Sequence, residues 1–139
     1  MKVSVRPLAK GRAIRIENKA GEALVSGDEI QLSQMLNNLV VNALRYGRAG
    51  TPVRIRLENA PPDLIRISVI DKGEGIAAAH IPRLTERFYR VDPGRSRSVG
   101  GTGLGLAIVK HIVLRHRGRL DIQSALGVGT TVSVSLPRA

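Results

Sequence analysis

At 139 residues the chain is long enough for one domain with a single core that buries about two-thirds of the unfolded surface. Its 22 Lys and Arg against 11 Asp and Glu give a net charge of +11, but the cations are scattered from Arg6 to Arg138, and Tyr46, Phe88 and Tyr89 are too few aromatics for a base-stacking platform. The absence of cysteine excludes disulfides, thiolate metal sites and a thiol nucleophile, no apolar run approaches the ~20 residues needed to span a bilayer, and the N-terminus lacks the apolar core of a signal peptide.

Residues 2–25 alternate loosely around the turn-like Asn18-Lys19-Ala20-Gly21, which predicts an opening β-hairpin built from Ala13–Glu17 and Leu24–Val25. Ser26-Gly27-Asp28-Glu29 then supplies N-cap chemistry for a helix whose apolar face is Leu32, Met35, Leu36, Leu39, Val40, Ala43 and Leu44, ending at Gly47. Asn38, Asn42 and Arg45 form a polar stripe beside that face. Asn is a poor helix former, so two of them one turn apart need a reason. They are either solvated or a pair of amide oxygens aimed at a hard cation such as Mg²⁺, with Arg45 in reach of the same phosphates.

Val53–Glu58 and Leu64–Ile70 alternate at period two across Asn59-Ala60-Pro61-Pro62-Asp63, a second hairpin. It runs into Asp71-Lys72-Gly73-Glu74-Gly75-Ile76, where a carboxylate stands at the end of a strand and can accept from an exocyclic amine or simply start a turn. One helical turn is predicted near His80–Arg87. The stretch Asp92-Pro93-Gly94-Arg95-Ser96-Arg97-Ser98 has nothing with which to build a core, and it reads as a lid hinged by Gly75 and by Gly100–Gly101. The run Gly100-Gly101-Thr102-Gly103-Leu104-Gly105-Leu106 opens a helix, and its N–H groups and the helix dipole suit phosphate. That helix shares Leu104, Ala107, Ile108, His111, Ile112 and Arg115 on one side and closes with Gly118 at its C′ position. Arg119–Ser124 and Thr130–Leu136 form a third hairpin about Gly127-Val128-Gly129. No Gly-Lys-Ser/Thr occurs, and the glycine run fails the G-x-G-x-x-G spacing, so neither a Walker A loop nor a dinucleotide fingerprint is present.

Taken in order, Asn38–Tyr46, Asp71–Ile76, Arg87-Phe88-Tyr89-Arg90 and Gly100–Leu106 resemble the N, G1, F and G2 boxes of the ATP-binding catalytic domain of sensor histidine kinases, in the group that includes gyrase, Hsp90 and MutL. Residues 84–92 look most like the phosphate-regulon sensor kinases, although Thr85 stands where many members carry Phe, and Lys72 is bulkier than is common. The resemblance implies an α/β (α+β) two-layer sandwich, the Bergerat or GHKL ATP-binding fold. Its mixed, mostly antiparallel sheet would pack against about three helices, with a mobile ATP lid. Residues 1–139 are expected to form one ATP-binding domain, with phosphoacceptor, dimerisation and sensor domains absent.

By the same resemblance, Asp71 would recognise the adenine amine, directly and with a water, while Gly73 and Gly75 let the chain pass close to the base, and Ile76 and Phe88 would also belong to the nucleotide-binding set. Asn42 and Asn38 would hold Mg²⁺, and Arg45 and Tyr46 would contact phosphate. Arg90 would reach the γ-phosphate from the lid, and Gly101, Thr102, Gly103, Leu104 and Gly105 would cradle the phosphates. The catalytic set would be Asn38, Arg45 and Arg90. Hydrolases of the group carry a basic Glu where this chain has Asn38, and an amide has no useful basicity, which favours transfer to a nucleophilic imidazole over hydrolysis. His80, His111 and His116 lack a phosphoacceptor context and read as surface or packing residues.

The chain is therefore expected to bind Mg·ATP as a monomer and not to phosphorylate itself. Its partners would be the dimerisation domain of the same kinase and a response regulator, with no nucleic acid and no membrane contact, on the cytoplasmic side of a membrane-anchored sensor. A GHKL-type ATPase and a degenerate ATP-sensing module are the alternatives.

Overall fold

The structure is a computed structural model and describes residues 14–21, 24–47, 50–87 and 105–139, with the side chain of Tyr46 outside that description. Five strands form one sheet: β1 (Ile14–Asn18), β2 (Val53–Ala60), β3 (Leu64–Asp71), β4 (Arg119–Ala125) and β5 (Gly129–Pro137), in the spatial order β1-β2-β3-β5-β4. Two α-helices, α1 (Glu29–Tyr46) and α2 (Gly105–Arg115), and a 3-10 helix (Ala78–Arg83) complete the described elements.

Helix α1 starts where its chemistry dictates. The Asp28 carboxylate accepts from the N–H groups of Ile30 (2.9 Å) and Gln31 (3.2 Å), a cap worth about 1 kcal/mol. Its apolar stripe buries Leu32, Met35, Leu36, Leu39, Val40 and Ala43 against the inward residues of the sheet, Val53, Ile55, Ile65, Ile67, Val69, Val132, Val134 and Leu136. Each fully buried aliphatic side chain contributes about 1.5–3 kcal/mol by leaving water. Gly47 ends the helix, its N–H donating to Ala43 O at 2.8 Å.

The opening hairpin does not form. Strand β1 pairs in parallel with β2, Ile14 against Val53 through Asn18 against Leu57, and Val25 instead makes an isolated antiparallel bridge to Arg138. The Asn18–Gly21 turn is present, with Asn18 Nδ2 donating to Gly21 O (2.8 Å), but it leads into the α1 crossover. The parallel pair is fastened across the strands by Glu17, whose carboxylate accepts from Arg54 Nε (2.9 Å), Arg54 Nη2 and Arg56 Nε (3.2 Å). The Arg54 hydrogen bond, supported by Arg56 against an opposing desolvation, holds the Glu17 carboxyl below the usual carboxylate range. The second and third hairpins form as expected, with Arg54–Ala60 pairing Ile70–Leu64 and Arg119–Ala125 pairing Ser135–Gly129.

Helix α2 packs on α1 with Val109, Ile112 and Val113 buried and Leu106 and Ile108 partly so, while His111 and Arg115 are exposed. The buried face is thus rotated from the predicted one, because contact with α1 and the sheet selects Val109 and Val113. The C-terminal cap is also one residue earlier than predicted. Arg117 adopts the left-handed conformation (φ 59°), its N–H meeting Leu114 O and the Gly118 N–H meeting Val113 O, a Schellman arrangement with Arg117 at C′. Gly118 is needed for a different reason: a Cβ there would lie 2.6 Å from the Ser135 carbonyl oxygen of β5.

Strand directions fix how the helices run. Gly47, at the end of α1, bridges Gly73 just beyond β3, while His116, past the end of α2, accepts the Asp28 N–H at Nε2 (3.1 Å) and bonds Ile112 O through Nδ1 (2.7 Å). The two helices are therefore antiparallel. The end of α1, the start of α2, the end of β3 and the β4–β5 turn all lie at one end of the sheet.

Candidate functional site

That end of the sheet carries the described candidates. Asp71 is the last residue of β3, half-buried, and its Oδ1 accepts the Gly73 N–H at 2.8 Å, so the carboxylate shapes its own turn. The turn is held from behind by the β4–β5 hairpin. Gly127 N–H donates to Glu74 O (2.7 Å), and Ile76 N–H donates to the Ser124 hydroxyl (2.8 Å). Gly75 has φ 79°, and a Cβ on it would collide with the Ala125 carbonyl, so the turn and the hairpin are in direct backbone contact.

The Gly47–Gly73 bridge ties this turn to the end of α1. Asn38 and Asn42 lie on α1, half-buried, and Arg45 is exposed in its last turn. Asn38 Nδ2 is the one buried side-chain nitrogen or oxygen among the described residues with no hydrogen-bond partner. A donor in that state costs about 1–3 kcal/mol unless something accepts from it. Gly105 starts α2, and a Cβ there would meet nothing within 4 Å. Antiparallel to α1 and pinned at His116, α2 extends about 16 Å back along it, which brings its start to the C-terminal half of α1.

Asp71, Gly73, Gly75, Ile76 and Gly105 thus share one end of the sheet with the C-terminal half of α1. Tyr46 closes α1, but its side chain lies outside the described residues, as do Phe88, Arg90, Gly101, Thr102, Gly103, Leu104 and the predicted lid. A separate cleft between the 3-10 helix, α2 and β4, lined by Ile81, Leu114, Leu120 and Ile122, shares no described residue with the site.

Two residues escaped sequence reasoning. Thr130 is the cross-strand partner of Asp71, and Ser124 that of Thr130, with the two hydroxyls 2.8 Å apart. Their signal was register, since a Thr directly opposite a strand-ending Asp lies on the same face of the sheet, and that register is set by β5 pairing over its whole length.

Among the described residues no group of three His, Cys, Asp or Glu could hold a metal ion.

Comparison with known proteins identifies the family. The family described as histidine kinase-, DNA gyrase B- and HSP90-like ATPase matches residues 27–139. The phosphate regulon sensor protein PhoR of Pseudomonas aeruginosa is 48% identical over 125 residues, which cover 89% of this chain and 28% of PhoR. The chain thus spans a little over a quarter of that relative. The mycobacterial sensor histidine kinase MprB superposes with a TM-score of 0.77 at 32% identity, covering 90% of this chain and 82% of the MprB chain. Full-length ShkA in complex with AMPPNP superposes with a TM-score of 0.79 at 29% identity, covering 93% of this chain and 26% of ShkA. Fold and sequence therefore agree: the chain belongs to the histidine kinase-, DNA gyrase B- and HSP90-like ATPase family, and the relatives it matches are sensor histidine kinases.

Proposed function

We propose that the chain is the Mg·ATP-binding catalytic unit of a two-component sensor histidine kinase, passing the γ-phosphate to a His on a separate dimerisation domain of the same kinase. The observation that carries this reading is the meeting of the Asp71 turn with α1, whose stripe presents two amides and no carboxylate. Asp71 accepts from the adenine amine, and the Gly73–Ile76 turn passes along the base. Asn42 and Asn38 would hold Mg²⁺ through their amide oxygens, and the buried, unpartnered Asn38 Nδ2 would be left to donate to phosphate. Magnesium, when bound, neutralises phosphate charge. Arg45, exposed in the last turn of α1, adds positive charge to the stripe, and by family resemblance Tyr46, Phe88, Arg90 and Gly101–Gly105 are assigned to nucleotide contact.

A neutral imidazole brings its own lone pair to the γ-phosphorus, and the P–O bond pair leaves with ADP. No general base is required of the protein, and Asn38 supplies none. The same substitution disfavours the hydrolase reading, because activating water at this position needs a carboxylate. We place residues 1–139 as one ATP-binding unit on the cytoplasmic side of a sensor, monomeric alone, whose partners are the dimerisation domain and, through it, a response regulator. No helix among the described residues is long and apolar enough to cross a membrane.

Titration with a fluorescent ATP analogue, with and without Mg²⁺, tests the reading. Affinity should rise with Mg²⁺, and Asp71→Ala should lose roughly 1–3 kcal/mol of binding. Unchanged affinity in that variant removes Asp71 from the site, and sustained ATP turnover by the wild-type chain alone would favour a hydrolase instead.

A further inference from the structure

The β4–β5 hairpin does more than close the sheet. The Ser124 hydroxyl makes three hydrogen bonds at once: it accepts the Ile76 N–H at 2.8 Å, donates to the Gly129 carbonyl at 3.0 Å and lies 2.8 Å from Thr130 Oγ1. A serine hydroxyl has one hydrogen and two lone pairs. Its hydrogen is committed to Gly129 O and one lone pair to Ile76, so in the third contact the Thr130 hydroxyl must be the donor. Thr130, directly opposite Asp71 in the β3–β5 register, is thereby left to face its surroundings as an acceptor.

One side chain thus controls two things next to the Asp71 carboxylate. It anchors the far end of the Asp71–Ile76 turn, and it fixes which way a neighbouring hydroxyl points. Glu74 and Gly75 are held independently, by the Gly127 N–H and against the Ala125 carbonyl. Loss of the Ser124 hydroxyl would therefore release the Ile76 end and free the Thr130 hydroxyl to turn, while β3 and the rest of the turn stayed in place.

The geometry points to Ser124 as a positioning residue for purine recognition. Acting through Ile76 and Thr130, it makes the Asp71 end of the site an all-acceptor edge that favours a base bearing an exocyclic amine. This rests on the reading of Asp71 as the group that receives that amine. A keto oxygen at the same place, as in guanine, would face acceptors only, and burying it unpaired is unfavourable.

The test compares two nucleotides that differ only in the amine, ATP and the 5′-triphosphate of purine riboside, on the wild-type chain and on Ser124→Ala. Wild type should prefer ATP by about tenfold, one charge-assisted hydrogen bond. In Ser124→Ala that preference should fall to about twofold, with affinity for the purine riboside triphosphate little changed. A role in folding alone would weaken both nucleotides together and keep their ratio. Ser124→Cys, of similar size and poor hydrogen-bonding power, serves if the alanine variant does not fold, and should show the same collapse. A wild-type preference that survives substitution overturns the inference alone, whereas a wild-type chain indifferent to the amine overturns the reading of Asp71 and this inference with it.

Discussion

The two halves of the candidate site are built in opposite ways. At the Asp71 end, the Asp71–Ile76 turn is bonded to itself through Gly73 and to the β4–β5 hairpin through Gly127 and Ser124. At the α1 end, the Asn38–Arg45 stripe stands on a helix with a buried donor that finds no acceptor among the described protein groups. The first half is held by its own hydrogen bonds and contributes to stability; the second carries an unmet donor at a cost to stability. Rigidity and unmet hydrogen bonding are thus segregated to opposite halves of the candidate site.

Substitution at Gly75 should break the rigid half most severely. Ala there is forced into a left-handed backbone and onto the Ala125 carbonyl, so Gly75→Ala should lower unfolding free energy by about 3 kcal/mol, read as a fall in the denaturant midpoint. A midpoint equal to wild type would mean that turn and hairpin are not locked together.

The other half should respond with the opposite sign. Asn38→Leu removes the orphaned donor and a poor helix former, so the ligand-free chain should gain about 1 kcal/mol in chemical denaturation while Mg·ATP affinity falls. Loss of stability together with affinity would show that the amide is already satisfied, and the contrast between the halves would disappear.

The smallest effect lies outside both halves, at the parallel edge. With its folded-state value depressed by Arg54, Glu17 stabilises the fold above the ordinary carboxylate value of 4.5, and that contribution is lost as pH falls through the lowered folded value. Thermal melts of Glu17→Gln should therefore fall less steeply than wild type below pH 4.5. Superimposable acid limbs would remove Glu17 from the edge's stability and leave β1 held by backbone pairing.

Much of this was legible in the chain because the signals were local. Asp28 as cap, the stripe from Leu32 to Ala43, the stop at Gly47 and two of the three hairpins rest on periodicity and turn chemistry within a few residues. The opening strand forms where expected but with a different partner, because Ile14–Asn18 carries no mark of what it pairs with. Leu24–Val25 is nearer in sequence, but a strand followed by a helix and another strand closes in parallel over the crossover. The face of α2 was misread because Val109, Val113, His111 and Arg115 all fit a helical period, and only packing on α1 chooses among them. Ser124 and Thr130 looked like ordinary alternating strand residues, since nothing short of the β3–β5–β4 register sets them beside Asp71.

The parallel pairing of β1 with β2 reaches beyond topology. The connection between these strands runs through α1, the element that carries Asn38 and Asn42. The outer edge of the sheet and the Asn stripe therefore share one continuous stretch of chain, and a ligand that binds the folded state alone should slow solvent exchange at the β1 amides as well as at those of α1.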